Sequence, residues 1–227
     1  MSGPVVIPGG VPARRAAARD AVRRRHLPLL ALPLLARPAA AQGGAQGNSQ
    51  GELRFRVIRE GSAIGTHRVA FTELGGVLTA RTDVAIHVRL MGFTVFRLTH
   101  AFTEVWAGGR LRSVTSRHDR NGTVTEMAAR AEPGGILVQG PEGVRRLPPE
   151  AAPLSWWDSR RFGQPLFDNA TGRPLRLELA RSALPGGGTL WRVAGDEQGE
   201  ASYAADGTWL GWRTRGEDGS LVVYERA

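Results

Sequence analysis

The 227 residues contain no cysteine and no lysine. Without cysteine the chain makes no disulfide, presents no thiolate to a metal, and has no thiol for a lipid anchor behind a signal segment. All 30 basic residues are arginine, which alongside 30 glycines and 14 prolines reads as a GC-rich coding bias rather than selection for phosphate contact. Signature motifs are missing as well: no Gly-x-Ser-x-Gly elbow, metalloprotease helix or Gly-rich phosphate loop is present. Pro185-Gly186-Gly187-Gly188 is a plain loop, with no lysine or helix behind it.

Long hydrophobic runs are lacking too. The best is Leu27–Leu35, well short of the roughly 20 apolar residues that cross a bilayer. Arg23-Arg24-Arg25-His26 precedes it and the small residues Ala39-Ala40-Ala41 follow it. A basic stretch, a short apolar core and an Ala-x-Ala exit predict a secretory signal cleaved after Ala41, which makes the mature protein periplasmic or secreted. The general secretory route is expected; the arginine triplet raises the twin-arginine route as the alternative. Residues Met1–Ala21 form an atypical N-terminal extension. The hypothesis that translation starts at Val22 accounts for it, and a cellular peptide covering Pro4–Ala21 would overturn that.

Residues 1–41 hold seven arginines and one aspartate, so the formal charge of +9 falls to +3 without them. A mildly basic domain with no basic stripe gives no case for nucleic acid as a partner. Residues 42–51, rich in Gly, Gln, Ala and Ser, read as a flexible leader. Residues 52–227 suit one domain with a sizeable core.

Period-two alternation recurs through that domain. Leu53, Phe55 and Val57 share one face of a first strand, and Gly61-Ser62 offers a turn into Ile64–Phe71. Val84, Ile86, Val88 and Leu90 make the cleanest half-buried strand. Phe93–Trp106 is long, and Gly108-Gly109 and Asn121-Gly122 are hairpin turns, since both positions of such turns need positive φ. Shorter strands follow to Leu147, where Pro148-Pro149 stops the sheet. Ser155 is placed to cap a short helix through Trp156 and Trp157 to about Phe162. Strands resume at Leu175–Leu179, Trp191–Ala194, Glu200–Ala204, Trp209–Arg215 and Leu221–Glu225. The fold class is therefore mainly β: a single strongly curved antiparallel sheet, a half-barrel or open barrel, with one short helix or loop segment packed on its concave face.

Clusters spread along this domain carry a resemblance. They are Phe55-Arg56-Val57 with Gly61–His67, His100–Trp106 with Gly109-Arg110-Leu111, Asn121-Gly122, Pro153–Trp157, Asp168–Gly172, Tyr203, Asp206–Trp209 and Asp218-Gly219-Ser220. In this order the chain resembles a bacterial family of exported proteins of unknown function, whose members are predicted half-barrels like the periplasmic lipoprotein carriers. The resemblance covers nearly all of Leu53–Tyr224. It implies a half-barrel and brings no activity. The missing anchor cysteine sets the chain apart from lipid-anchored acceptors and leaves a soluble carrier compatible.

Four histidines follow the signal: His67, His87, His100 and His118. None stands at metal-ligand spacing from another, so no metal and no cofactor is expected. His100, Phe102, Glu104 and Trp106 alternate and share one strand face. A histidine and a glutamate on one face suit an acid–base pair or a polar patch in a cavity. Of the six tryptophans, Trp106, Trp156 and Trp157 are candidates to line a ligand groove, with core the competing role. Adjacent Trp156 and Trp157 must face different ways. The candidate ligand-binding set is thus His100, Glu104, Trp106, Trp156 and Trp157, with no catalytic residue assigned. The leading function is a non-catalytic binding module for an apolar or amphipathic ligand such as a lipid. An envelope interaction protein with a filled core and a protein partner is second, and an unrecognised hydrolase or isomerase third.

Overall fold

The computed structural model describes residues 49–227. The signal segment 1–41, its extension and most of the leader lie outside the described residues. β1 (Ser49–Arg59) takes up the last three leader residues.

Six long strands come first: β1, β2 (Ser62–Leu74), β3 (Val77–Leu90), β4 (Phe93–Ala107), β5 (Arg110–Arg120) and β6 (Thr123–Glu132). Each joins the next through a two-residue turn: Glu60-Gly61, Gly75-Gly76, Met91-Gly92, Gly108-Gly109 and Asn121-Gly122. Both residues of all five turns have positive φ, the type I′ geometry whose twist matches that of the flanking strands. The first turn is Glu60-Gly61 rather than Gly61-Ser62, because Glu60 accepts a left-handed φ of 45°.

β7 (Gly135–Gly140), β8 (Gly143–Leu147), β9 (Ala152–Pro153), β10 (Leu166–Phe167), β11 (Leu177–Ala183), β12 (Thr189–Gly195), β13 (Gly199–Tyr203), β14 (Trp209–Arg215) and β15 (Leu221–Arg226) complete the described chain. Thirteen strands form one antiparallel sheet in the order β11–β15 and then β1–β8. The last strand pairs with the first, and β8 and β11 remain as free edges. This is the open half-barrel the alternation predicts.

The segment from Pro148 to Arg176 joins those two edges and lies across the concave face. Ala151, Ala152, Leu154, Phe162, Leu166 and Phe167 from it are all buried in the core. The segment folds on itself through the parallel β9–β10 pair and the bond from Leu154 N–H to the Phe167 carbonyl, 2.8 Å. The sheet supplies inward rows across the strands: Leu53, Val69, Thr82, Phe102, Ser116 and Met127 in one, and Phe71, Ala80, Glu104, Val114 and Ala129 in the next. Burying each large apolar side chain among these contributes about 1.5–3 kcal/mol.

The expected helix is shorter and capped differently. A 3₁₀ turn spans Ser159–Gly163, and Asp158, not Ser155, accepts from the Arg160 N–H at its start. Ser155 cannot serve as cap because its hydroxyl donates to Glu104. Asp158 is itself buried, and the guanidinium groups of Arg160 and Arg161 neutralise it at 2.6 and 3.1 Å. Arg161 also covers the Trp106 ring, 4.2 Å from its centroid, and donates to the Gly109 carbonyl. The crossing segment is thereby tied to β4 and to the β4–β5 turn.

Candidate functional site

Most of the concave face is filled core, but one part is hollow. A cavity of about 330 Å³ lies between the inner face of β2–β5, the stretch Leu154–Trp157, and the inward side chains Trp212, Thr214 and Tyr224 of β14 and β15. One cross-strand row builds much of its wall: His67, Val84, His100 and His118, each directly opposite the next, with the core residue Phe55 continuing the row behind His67. The neighbouring row adds Ile86 and Leu98, and begins at Gly65, where the β3 backbone approaches too closely for a side chain. A Cβ on Gly65 would meet the Ala85 carbonyl oxygen at 2.0 Å. A larger depression of about 570 Å³ near Glu178 and Arg192 is an open surface hollow between outward residues of β11 and β12, and nothing buried and polar lines it.

Three of the four histidines thus meet in one cavity. His100 and His118 stand edge to face at 5.2 Å between ring centroids, and His100 Nε2 is 2.9 Å from the Ser116 hydroxyl. His67 packs between Trp209 and Tyr224, at 5.0 and 5.5 Å. Burial, reinforced by His100, pushes the His67 pKa down to about 3. Burial and then His118 push His100 down to about 4, against the weaker opposing pull of Asp168. Burial also lowers His118. All three are therefore neutral at physiological pH, each with one donor and one acceptor nitrogen. His67 Nδ1 and Thr82 Oγ1, both buried in the cavity wall, have no hydrogen-bond partner. Buried polar groups are rarely left so. Among the described residues no cluster of His, Asp and Glu has the arrangement of a metal site.

The candidate set divides. His100, Trp156 and Trp157 line the cavity; Glu104 and Trp106 do not. Glu104 lies fully buried behind the wall. It accepts bonds from the Ser155 hydroxyl, Trp157 Nε1 at 3.1 Å and Trp106 Nε1 at 2.9 Å. Desolvation raises its pKa to about 7, the three donors and Asp158 being smaller influences. His100 and Glu104 share a face as the alternation predicts, yet they bond to different partners and form no acid–base pair. Glu104 and Trp106 instead position the wall: the carboxylate holds Ser155 and Trp157 in place. The two adjacent tryptophans diverge. Trp156 stacks on Trp212 at 3.9 Å, whereas Trp157 meets Phe71 edge-on at 5.2 Å.

Sequence reasoning missed His67, Thr82 and His118. Their common signal is register: the I′ turns set which residues face each other, and counting back from them leads to within one residue of the observed row.

An open antiparallel half-barrel, closed over by a segment joining its edges and hollow at one place, is the class of protein defined by these features. The chain belongs to the family described as "Domain of unknown function (DUF6134)", whose model matches residues 55–227. It is similar to a solved structure described as a beta-barrel-like protein of domain of unknown function DUF1849 from Brucella abortus. That likeness covers 79% of this chain and 95% of the other at 11% identity, with a TM-score of 0.47. No curated protein matches the chain.

Proposed function

We propose that this protein is an exported, non-catalytic binding module that holds a small amphipathic molecule in the cavity beneath Trp156 and Trp157. The carrying observation is the wall itself. Val84, Ile86, Leu98, Phe102 and the aromatic rings offer an apolar berth, while His67, Thr82, His100 and His118 offer neutral hydrogen-bonding groups. Ligand sites characteristically set a few convergent polar groups among apolar ones; here the Glu197 carboxyl, Asn169, Ser155 and Thr214 make the wall about as polar as apolar. At about 330 Å³ the cavity is near the lower end of the ~300–1,000 Å³ usual for ligand sites. It therefore favours a compact ligand, or one end of a lipid, over a whole phospholipid. Export to the periplasm follows from the signal read at Arg23–Ala41.

Native mass spectrometry of protein isolated from its own periplasm, followed by organic extraction, tests the reading. A bound small molecule, displaced when Val84→Trp fills the cavity, is the expected result. Protein that is empty, and that also fails to bind the amphipathic dye anilinonaphthalene sulfonate through this cavity, would overturn it. N-terminal sequencing of the same material tests export, with Gln42 the expected first residue.

The second reading, an envelope interaction protein, draws on the filled remainder of the concave face, where Tyr203, Trp209, Phe162 and Phe167 are all buried. Co-purification of a protein with an empty cavity would favour it.

A further inference from the structure

The two longest strands outrun their neighbours. β3 pairs with β2 only as far as Ile86, and β4 pairs with β5 only from Leu98 onward. Beyond those points Val88–Phe96 pair with one another alone, as a two-stranded ribbon standing past the sheet, while Arg97 at its base is still bonded to Asn121 of the β5–β6 turn. A lone two-stranded ribbon has no core of its own. Its apex is apolar all the same: Met91 is 91% exposed, Phe93 76% and Val95 54%.

Charge on the ribbon has one sign. No aspartate or glutamate occurs from Val84 to Thr103, while Arg89 and Arg97 are exposed behind the apex. Arg120 adds a third cation at the base, 5.4 Å from the Phe96 ring centroid. The nearest carboxylates stand on other strands and loops: Asp119 lies 3.8 Å from Arg97 and Glu217 lies 2.6 Å from Arg120.

We propose that this ribbon docks the protein on an anionic phospholipid surface. Met91, Phe93 and Val95 enter the interface, and Arg89 and Arg97 meet the lipid phosphates. Aromatic and apolar side chains settle at the headgroup boundary, and guanidinium groups bind phosphate through paired donors. A narrow apex suits a bilayer better than a protein, because a stable protein interface takes about 800 Å² from each partner. The inward face of the ribbon also leads somewhere. Val88 pairs with Phe96 next to the Ile86–Leu98 pair, and the latter two line the cavity. An apolar track thus runs from the docking apex to the hollow. The docking itself rests on the ribbon alone and stands whether or not the cavity holds a ligand.

The test is co-sedimentation of the mature protein beginning at Gln42 with vesicles of phosphatidylcholine alone and of phosphatidylcholine with phosphatidylglycerol. The expected result is preferential binding to the anionic vesicles. Met91→Ser with Phe93→Ser should weaken it on the order of tenfold or more. Arg89→Ser with Arg97→Ser should abolish the preference for anionic lipid and its sensitivity to salt. No binding by the parent chain, or full binding by the apolar double variant, overturns the proposal; so does a preference that survives loss of both arginines. Because the chain lacks cysteine, Met91→Cys gives a unique thiol for an environment-sensitive fluorophore, which checks the apex without removing Phe93. A blue shift on anionic vesicles supports docking, and its absence refutes it.

Discussion

Trp157 Nε1 donates to Glu104 Oε1 at 3.1 Å, so an indole in the cavity wall is held by a carboxylate that no solvent reaches. Ser155 and Trp106 add their hydrogens to the same carboxylate. Desolvation nevertheless raises the Glu104 pKa from 4.5 to about 7. The native state therefore keeps a proton that the unfolded chain has already released. Its contribution to stability is full below about pH 4.5 and is lost as pH rises through 7, about 3 kcal/mol in all. Glu104→Gln removes this titration. Its melting temperature should fall less than the parent's between pH 5 and pH 8. At pH 5 the variant should be about 1 kcal/mol less stable, since its amide N–H cannot accept from an indole donor. An equal fall with pH in both proteins would assign the dependence to other groups.

The histidines act with the opposite sign. His67 and His100 have native pKa values pushed down to about 3 and about 4, against 6.5 in the unfolded chain. The unfolded state binds their protons first, so stability falls as pH drops below about 6.5 and continues to fall through 4 and 3. His67→Gln should shift the acid-unfolding midpoint, read by tryptophan fluorescence, to lower pH. A cavity ligand bonded to neutral imidazoles should leave over the same acidic range. A midpoint unchanged by the substitution would show that His67 is not a determinant of acid lability.

The succession of antiparallel strands, most of the hairpin turns and the shared face on β4 were legible because period two and paired positive-φ turn residues are local properties; the pairing of β15 with β1 was not, because it joins the two ends of the domain. The cavity row was not, and the cause is specific. One-residue irregularities interrupt the β1–β2 ladder at Val57/Ile58, the β3–β4 ladder at Val88/Arg89 and the β4–β5 ladder at Val105/Trp106. Each shifts the partner by one residue, so a count from the Met91-Gly92 turn sets His100 against Asp83 instead of Val84. Bulges leave no residue signature in this sequence, and one suffices to exchange the two faces of a partner strand. Ser155 was misread for a similar reason. A serine before a helical turn suits a cap, but a buried carboxylate 51 positions earlier makes the stronger claim on its hydroxyl.

Thr82 gives a prediction free of titration. Its hydroxyl is wholly buried and lacks any partner. Valine has nearly the same shape without the unsatisfied group, so Thr82→Val should raise stability of the empty protein by about 1 kcal/mol. Chemical denaturation checks this. If the hydroxyl also meets a cavity ligand, the variant will be more stable and will bind that ligand less well, two changes that overpacking would not produce together. A less stable variant would mean that the hydroxyl is satisfied in solution.

Gly172 tests how firmly the crossing segment is seated. It holds φ at 75°, and an added Cβ would lie 2.3 Å from Val138 Cγ1 and 3.2 Å from Met127 Cγ. Both neighbours belong to the core formed with β6 and β7. Gly172→Ala therefore combines a left-handed backbone with an overpacked contact, and about 2–4 kcal/mol of stability should be lost. The loss should be local in origin. Asp168 accepts from the Ala170 N–H and its carbonyl from the Gly172 N–H, while Asn169 holds the Leu154 carbonyl beside the cavity. Displacing this turn should loosen Leu154–Trp157 and speed amide hydrogen exchange there, with the β1–β2 ladder unaffected. Gly122→Ala is the control, since it too has positive φ, at 89°, but its Cβ would meet nothing within 4 Å. It should cost only the backbone strain, about 1 kcal/mol, and leave exchange at Leu154–Trp157 as it was. Equal losses in the two variants would mean that Val138 yields, and that the crossing segment rests on the sheet without being locked into it.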